Sequence, residues 1–329
     1  FFETRGSYSS SISNDGRFVT FSSYSTNLVD NDSNDTSDVF VHDRDTGATT
    51  RVSVASDGTE GDNSSVGPSM SGDGRFIAFQ SAASNLVSGD TNSGSDIFVH
   101  DRDTGETTRV SVASDGTQAS NIQGMPTGTS EASISSDGRF VAFTSDASNL
   151  VPDDTNGKRD IFVHDRDTGQ TTRVSVASGG TQLTYHSLGP SISNDGRFIA
   201  FIAQAGNLGG TSWDVFVHDR NTNETTRLSD PEGNDPVISG NGRFVVFTNA
   251  GQGHVIYDLD TDTTESFAFN VGGQEGSDES TSASISADGR FVAFASSASN
   301  LVSNDTNGRI DTFVRDRDTG ETTRVSVDS

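Results

Sequence analysis

The chain has 329 residues, no cysteine and a formal net charge of −26. Without thiols there is no disulfide and no thiolate metal centre, and so acidic a chain suits neither nucleic acid nor an anionic membrane surface. No run of about 18 apolar residues is present, so no membrane insertion is expected. Asp outnumbers Glu by 37 to 10, an excess first explained by turns, where the short carboxylate bonds its own backbone.

The chain opens on a Ser-rich stretch, 1–11, that matches the end of a later link, 276–284, and leads into a Ser-Ile-Ser strand. It begins at Phe1 with no signal peptide, and reads as a mature secreted protein or a domain cut from a longer one. Asp-Gly-Arg-Phe follows at Asp15 and returns at Asp73, Asp137, Asp195 and Asp288, with Asn241-Gly242-Arg243-Phe244 as an altered copy. A repeat of this length in fixed order signals a solenoid, propeller or array.

The second copy is the clearest. A strand over 69–72 meets a tight turn at Asp73-Gly74, where glycine supplies the positive backbone angle. The next strand, 75–80, is apolar on both faces, with Phe76 and Ala78 on one and Ile77 and Phe79 on the other. Such a strand must be covered on both sides. Strands over 97–100 and 107–112 follow, separated by a second tight turn at Asp103-Thr104-Gly105. Four antiparallel strands, sandwiched between neighbours and repeated six times, predict an all-β six-bladed β-propeller. One domain spans 1–329, with blades at about 7–55, 66–113, 130–177, 188–230, 235–269 and 282–329. Length differences between copies fall in connections, and all variable connections are expected on one face.

Four copies carry a long link between second and third strands with identical spacing of Asp and Asn. These are Asp32, Asn34, Asp38; Asp90, Asn92, Asp96; Asp154, Asn156, Asp160; and Asp305, Asn307, Asp311. Alternating oxygen side chains in a Gly/Ser-rich loop can converge on a hard cation, so calcium is the expected ligand. The competing reading is that these side chains cap their own backbone in Asx-turns. His42, His100, His164 and His218 occupy one repeat position and read as scaffold, because an active site is needed once. Residues that break the repeat are the better functional candidates: Gln123, Met125, Pro126, Tyr185, His186, Trp213 and His254, all but His254 expected on the variable face, with Met125, Tyr185, His186 and Trp213 as the partner contacts. An aromatic and a histidine on the variable face suit a sugar ring or a peptide.

Ser71 to Phe79 with Ile97 to Val99, and Ser135 to Phe143 with Ile161 to Val163, resemble the propeller repeats of the TolB family, which resemble WD40 repeats. That resemblance implies the propeller fold along the whole chain; the architecture also serves periplasmic binding proteins, peptidase accessory domains and polysaccharide lyases. The expected function is therefore a calcium-stabilised binding or structural module, extracellular, cell-surface or periplasmic, presenting its variable loops to a protein or carbohydrate partner. The alternatives are a carbohydrate-active enzyme of polysaccharide-lyase type, with its site in the central depression of that face, and a scaffold domain of a larger surface protein. None of the common hydrolase, metalloprotease or phosphate-binding motifs occurs; only Tyr185 and His186 form a non-repeat pair able to act as base.

Overall fold

The structure, a computed structural model, describes residues 7–92, 94–120, 132–204, 206–208, 212–229, 232–250, 253–267, 280–303 and 305–327. Each repeat becomes a four-stranded antiparallel meander in which every strand pairs with the next in the chain. Blade 1 is β1 (Ser7–Ile12), β2 (Phe18–Ser23), β3 (Asp38–Asp43) and β4 (Thr49–Arg51). Blade 2 is β5 (Ser65–Met70), β6 (Phe76–Ser81), β7 (Asp96–Asp101) and β8 (Thr107–Arg109). Blade 3 is β9 (Ala132–Ile134), β10 (Phe140–Ser145), β11 (Asp160–Asp165) and β12 (Gln170–Arg173). Blade 4 is β13 (Ser187–Ile192), β14 (Phe198–Ala203), β15 (Asp214–Asp219) and β16 (Glu224–Arg227). Blade 5 is β17 (Gly233–Ile238), β18 (Phe244–Asn249), β19 (Gly253–Asp258) and β20 (Thr263–Ser266), and blade 6 is β21 (Ser280–Ile285), β22 (Phe291–Ser296), β23 (Asp311–Asp316) and β24 (Glu321–Arg324). The fold is an all-β six-bladed β-propeller. The chain falls into two compact units, Phe1–Val176 with Ser187–Pro190 and Ala177–His186 with Ser191–Ser329.

Two-sided burial of the second strand is the packing principle in each unit. In the first, Ile77 and Phe79 of β6 join Val39, Val41 and Val52 of blade 1, whereas Ala78 joins Val141, Phe143 and Phe162 of blade 3. In the second, Val245 and Phe247 of β18 pack with Ala200 and Val217, and Val246 packs with Val292 and Phe294. Each fully buried aliphatic or phenyl side chain contributes about 1.5–3 kcal/mol. Directly opposed phenylalanines of the second and third strands stack within a blade, as Phe79 and Phe98 do at 6.0 Å.

Two strand limits of blade 2 differ from those expected by three residues or more. The first strand of blade 2 starts earlier, at Ser65, because a register shift between Val66 and Ser69 accommodates Pro68, which has no N–H to donate. The fourth ends at Arg109, short of Val112, because Ser111 turns inward and donates to Asp96 at 2.5 Å. The Asp-Gly turn is also longer than a two-residue hairpin. Gly74 N bonds the Ser71 carbonyl at 2.9 Å, and Asp73 Oδ1 accepts from Ser71 Oγ at 2.6 Å and Arg75 N at 2.9 Å. Gly74 itself has φ 75°, and a Cβ on it would lie 2.5 Å from the Phe18 ring of the preceding blade.

The arginine of each such turn makes a two-point clamp. Arg75 donates through Nε and Nη2 to the two oxygens of Asp101 at 2.8 and 2.6 Å. Arg17–Asp43, Arg139–Asp165, Arg197–Asp219, Arg243–Asp258 and Arg290–Asp316 repeat the clamp. A second arginine, next along from the clamped aspartate, reaches the preceding blade. Arg102 lies over Phe18 at 4.2 Å, Arg166 over Phe76 at 4.4 Å and Arg317 over Phe244 at 4.3 Å. Phe18 and Phe76 thus carry two guanidiniums each, since Arg17 and Arg75 also stand 4.6 Å from these rings.

Candidate functional site

The third strand opens on a buried aspartate in five blades: Asp38, Asp96, Asp160, Asp214 and Asp311. The serine two residues beyond the fourth strand turns it inward, with Ser53 donating to Asp38 at 2.6 Å and Ser326 to Asp311 at 2.5 Å. Asn34, Asn92, Asn156 and Asn307 donate from Nδ2 to the same aspartates at 2.9–3.1 Å. Their Oδ1 atoms accept backbone N–H groups two residues on, from Thr36, Gly94, Lys158 and Arg309. These are Asx-turns, and they leave an amide nitrogen, not an oxygen, facing the carboxylate.

The remaining space between the acids holds an arginine. Arg51 Nη1 lies 3.7 Å from Asp32 and 3.4 Å from Asp38, and also bonds Glu60. Arg109 stands 3.4 and 3.6 Å from Asp90 and Asp96, and Arg324 stands 3.2 and 3.3 Å from Asp305 and Asp311. Arg173 approaches Asp154 at 3.7 Å, and Arg227 approaches Asp214 at 3.0 Å. Blade 5 is the internal control: Gly253 begins its third strand, and Ser266 stands where the arginine would be. Aspartate and arginine disappear together.

The structure thus brings the sequence-predicted metal residues together, around a guanidinium that sequence reasoning missed. The signal was available, since every repeat with the third-strand Asp ends its fourth strand in Thr-Thr-Arg and the one without it does not. In blade 1 the carboxylate oxygens of Asp32, Asp38 and Glu60 lie within 4.8 Å of one another. Calcium takes six to eight oxygens; with Arg51 and the Asn34 amide nitrogen among them, these donors fit a guanidinium and do not fit calcium. In blade 2 the place of Glu60 is taken by Gln118, whose Nε2 donates to Asp90 at 2.7 Å and to Asp96 at 3.0 Å. Burial pushes the carboxyls of Asp32, Asp38 and Asp96 up.

The repeated histidines have a structural position. Nδ1 of His42, His100, His164 and His218 lies 2.9–3.0 Å from the hydroxyl of a threonine on the adjacent fourth strand. Burial lowers the pKa of His100 and His164, and that of His218 to about 4. A histidine whose folded pKa is depressed costs stability as the pH falls below the unfolded value of about 6.5. The arginine clamps act lower down. Hydrogen bonds from Arg75 and its counterparts hold Asp43, Asp101, Asp165 and Asp316 well below the usual carboxylate range, and Asp258 at about 2. Their stabilisation is present above about pH 4 and lost as the pH falls through the folded values. Asp32, Asp38 and Asp96 work in the opposite sense but are fewer. The urea midpoint is therefore expected to decline slightly between about pH 6.5 and 4 and steeply below about pH 4. A midpoint at pH 3 equal to that at pH 7 would remove the clamps from the account.

Of the residues that break the repeat, Gln123, Met125 and Pro126 lie outside the described residues. Tyr185 is 49% exposed and its ring lies against Gly206, where a Cβ would stand 2.8 Å from it. That juxtaposition is fixed by hydrogen bonds between the link before blade 4 and the shortened link within it. Thr184 Oγ1 donates to Asn207 Oδ1 at 3.2 Å, Asn207 Nδ2 donates to the Gln182 carbonyl at 2.9 Å, and Gln204 N donates to the His186 carbonyl at 3.1 Å. His186 is half-buried beside Tyr185. Trp213, also half-buried, begins the approach to β15, and its carbonyl accepts from Gly233 N at 3.0 Å. His254 is not a surface residue: it is buried and stacks on Phe267 at 5.7 Å.

No protein-family model and no curated protein matches the chain. Among solved structures, it is similar to TolB from Acinetobacter baumannii, with 18% identity, a TM-score of 0.51 and coverage of 88% of this chain and 59% of that one. It therefore spans less than two thirds of that protein's length. It is also similar to an oligogalacturonate lyase from Vibrio parahaemolyticus, with 14% identity, a TM-score of 0.57 and coverage of 97% and 76%. The β-propeller domain of the Trilobed protease from Pyrococcus furiosus gives 13% identity, a TM-score of 0.58 and coverage of 98% and 85%. At these identities the likeness is one of fold, and the chain is accordingly a six-bladed β-propeller of TolB-like fold.

Proposed function

We propose that the chain is a binding and structural module of an extracellular, cell-surface or periplasmic protein, presenting the link end of blade 4 to a protein or glycan partner. The observation that carries this reading is Tyr185, half exposed and held in place by the Thr184–Asn207 and Asn207–Gln182 bonds. A large ring fixed before binding loses little entropy on binding, and its flat face suits a sugar ring or an apolar side chain. The charge of −26 favours neutral glycans or basic proteins over polyanions. Within this reading, calcium among the described residues has the Asp32, Asp38 and Glu60 trio as its place, and only with Arg51 displaced.

The test is a titration with a panel of neutral oligosaccharides and basic peptides, followed by the emission of Trp213, the only tryptophan. Tyr185→Ala is expected to weaken the partner so found about tenfold or more while leaving the melting temperature unchanged. Wild-type affinity in that variant would take the partner site away from this end of blade 4.

A further inference from the structure

At the opposite end of the strands of blade 4, on the side of the Asp-Gly turns, lies a cleft of about 550 Å³ lined by residues of blades 4 and 5. It is lined by Phe198 and Gly242 together with Arg197, Asp219, Glu224 and Leu259. The turn of blade 5 packs on blade 4 as the other turns do on their neighbours. A Cβ on Gly242 would lie 2.6 Å from the Phe198 ring, as one on Gly74 would lie 2.5 Å from Phe18. Two lining side chains differ from the repeat: Asn241 stands in place of the turn aspartate, and Leu259 in place of an arginine. Arg44, Arg102, Arg166, Arg220 and Arg317 occupy this repeat position in the other blades, and blade 5 has Leu259.

Elsewhere that arginine does two things at once. Its Nη1 donates to the glycine carbonyl of its own turn, at 2.7 Å from Arg102 to Gly74 and from Arg317 to Gly289. Its guanidinium plane also covers the phenylalanine of the preceding blade, at 4.2 Å over Phe18 and 4.3 Å over Phe244. Leu259 has no donor to bring to the Gly242 carbonyl and no charge to lay on Phe198, whose ring is covered by Arg197 at 4.4 Å.

We propose that this cleft is a binding site for a guanidinium group, the arginine side chain of a partner taking the place that Leu259 leaves open. The rest of the chain supplies the template for the ligand. The carboxylates that face the built-in arginines recur here: Asp219 corresponds to Asp101, and Glu224 to Glu106, both of which act on Arg166. Asp260, itself 3.2 Å from Arg243 Nε, brings the lining acids to three, against Arg197 and Arg243. Each of those two arginines is already committed to a two-point clamp, with Asp219 and with Asp258. A planar cation that stacks on a ring while donating to a carbonyl is the property of arginine that lysine lacks. This site goes beyond the proposed use of Tyr185, and neither depends on the other.

The experiment is calorimetric titration of the full chain with agmatine and with a capped Gly-Arg-Gly peptide, on wild type, Leu259→Arg and Glu224→Gln. Leu259→Arg restores the repeat residue, so it is expected to melt at or above the wild-type temperature while weakening both probes at least about tenfold. Glu224 is exposed, and its substitution is expected to weaken them severalfold with the fold intact. Tighter binding of the peptide than of agmatine assigns the site to a polypeptide partner, and equal binding assigns it to a free guanidinium compound; both support the slot. Failure of both probes to saturate, or unchanged binding in Leu259→Arg and Glu224→Gln, overturns it.

Discussion

Replacing Arg51 by alanine is expected to lower the melting temperature by several degrees, and calcium is expected to recover part of the loss. The side chain is 10% exposed and stands among Asp32, Asp38 and Glu60. Removing it leaves three carboxylates facing one another, two of them already pushed up by burial. Breaking a buried pair by taking away one partner costs about 3–5 kcal/mol, chiefly because the other charge stays buried and unpaired. Unfolding entropy of about 2.1 cal/mol/K per residue makes about 0.7 kcal/mol/K for a chain of 329 residues. The shift is then about 4–7 °C for cooperative melting.

Arg109→Ala is expected to fall by a similar amount without calcium recovery, since Gln118 and not Glu60 completes that cluster. Scanning calorimetry of wild type and both variants, in calcium and in chelator, reads all of this. Wild type is expected to melt alike in both solutions. A loss of melting temperature by wild type in chelator would mean that the guanidinium is not the resident cation.

The second large effect is expected at the glycines of the Asp-Gly turns, read as a matched pair. Gly138→Ala and Gly116→Ala both force alanine into a left-handed conformation, at φ 74° and 84°. That conformation alone costs about 1–2 kcal/mol. Beyond it the two positions diverge: a Cβ at 116 meets nothing within 4 Å, whereas one at 138 lies 2.1 Å from the Phe76 ring. Phe76 cannot give way freely, because Arg75 and Arg166 cover it at 4.6 and 4.4 Å. Overpacking adds about 1–3 kcal/mol, so Gly138→Ala is expected to cost about 2–5 kcal/mol in all. Urea unfolding of the pair measures the difference. Equal losses would show that the turn is only a turn and does not carry the contact between blades.

The sites were legible to very different degrees. The Asp and Asn positions could be found by spacing, and spacing did place them in one cluster per blade. The identity of the cation was not legible in the same way, because Arg51 is 19 residues beyond Asp32 in the chain and arrives through the pairing of β4 with β3, Arg51 opposite Phe40. His254 breaks the repeat, and what it does is stack on Phe267 in the core. Tyr185 and the shortened link after β14 were each visible as irregularities, but the hydrogen bonds that join them were not.

By itself the sequence determined the blade count, the strand order and the two-sided burial of the second strand. Those depend on local periodicity and on a unit copied six times, and each copy is evidence for the others. Only the tertiary structure decided what lies between blades: that Phe18 and Phe76 each sit under two guanidiniums, that a turn glycine touches the neighbouring ring, and that Leu259 leaves a cleft. The physical reason is that a side chain's partner across a blade interface is set by through-space packing of residues about 44 to 90 positions apart, and no local pattern encodes which of two repeated charges will face it.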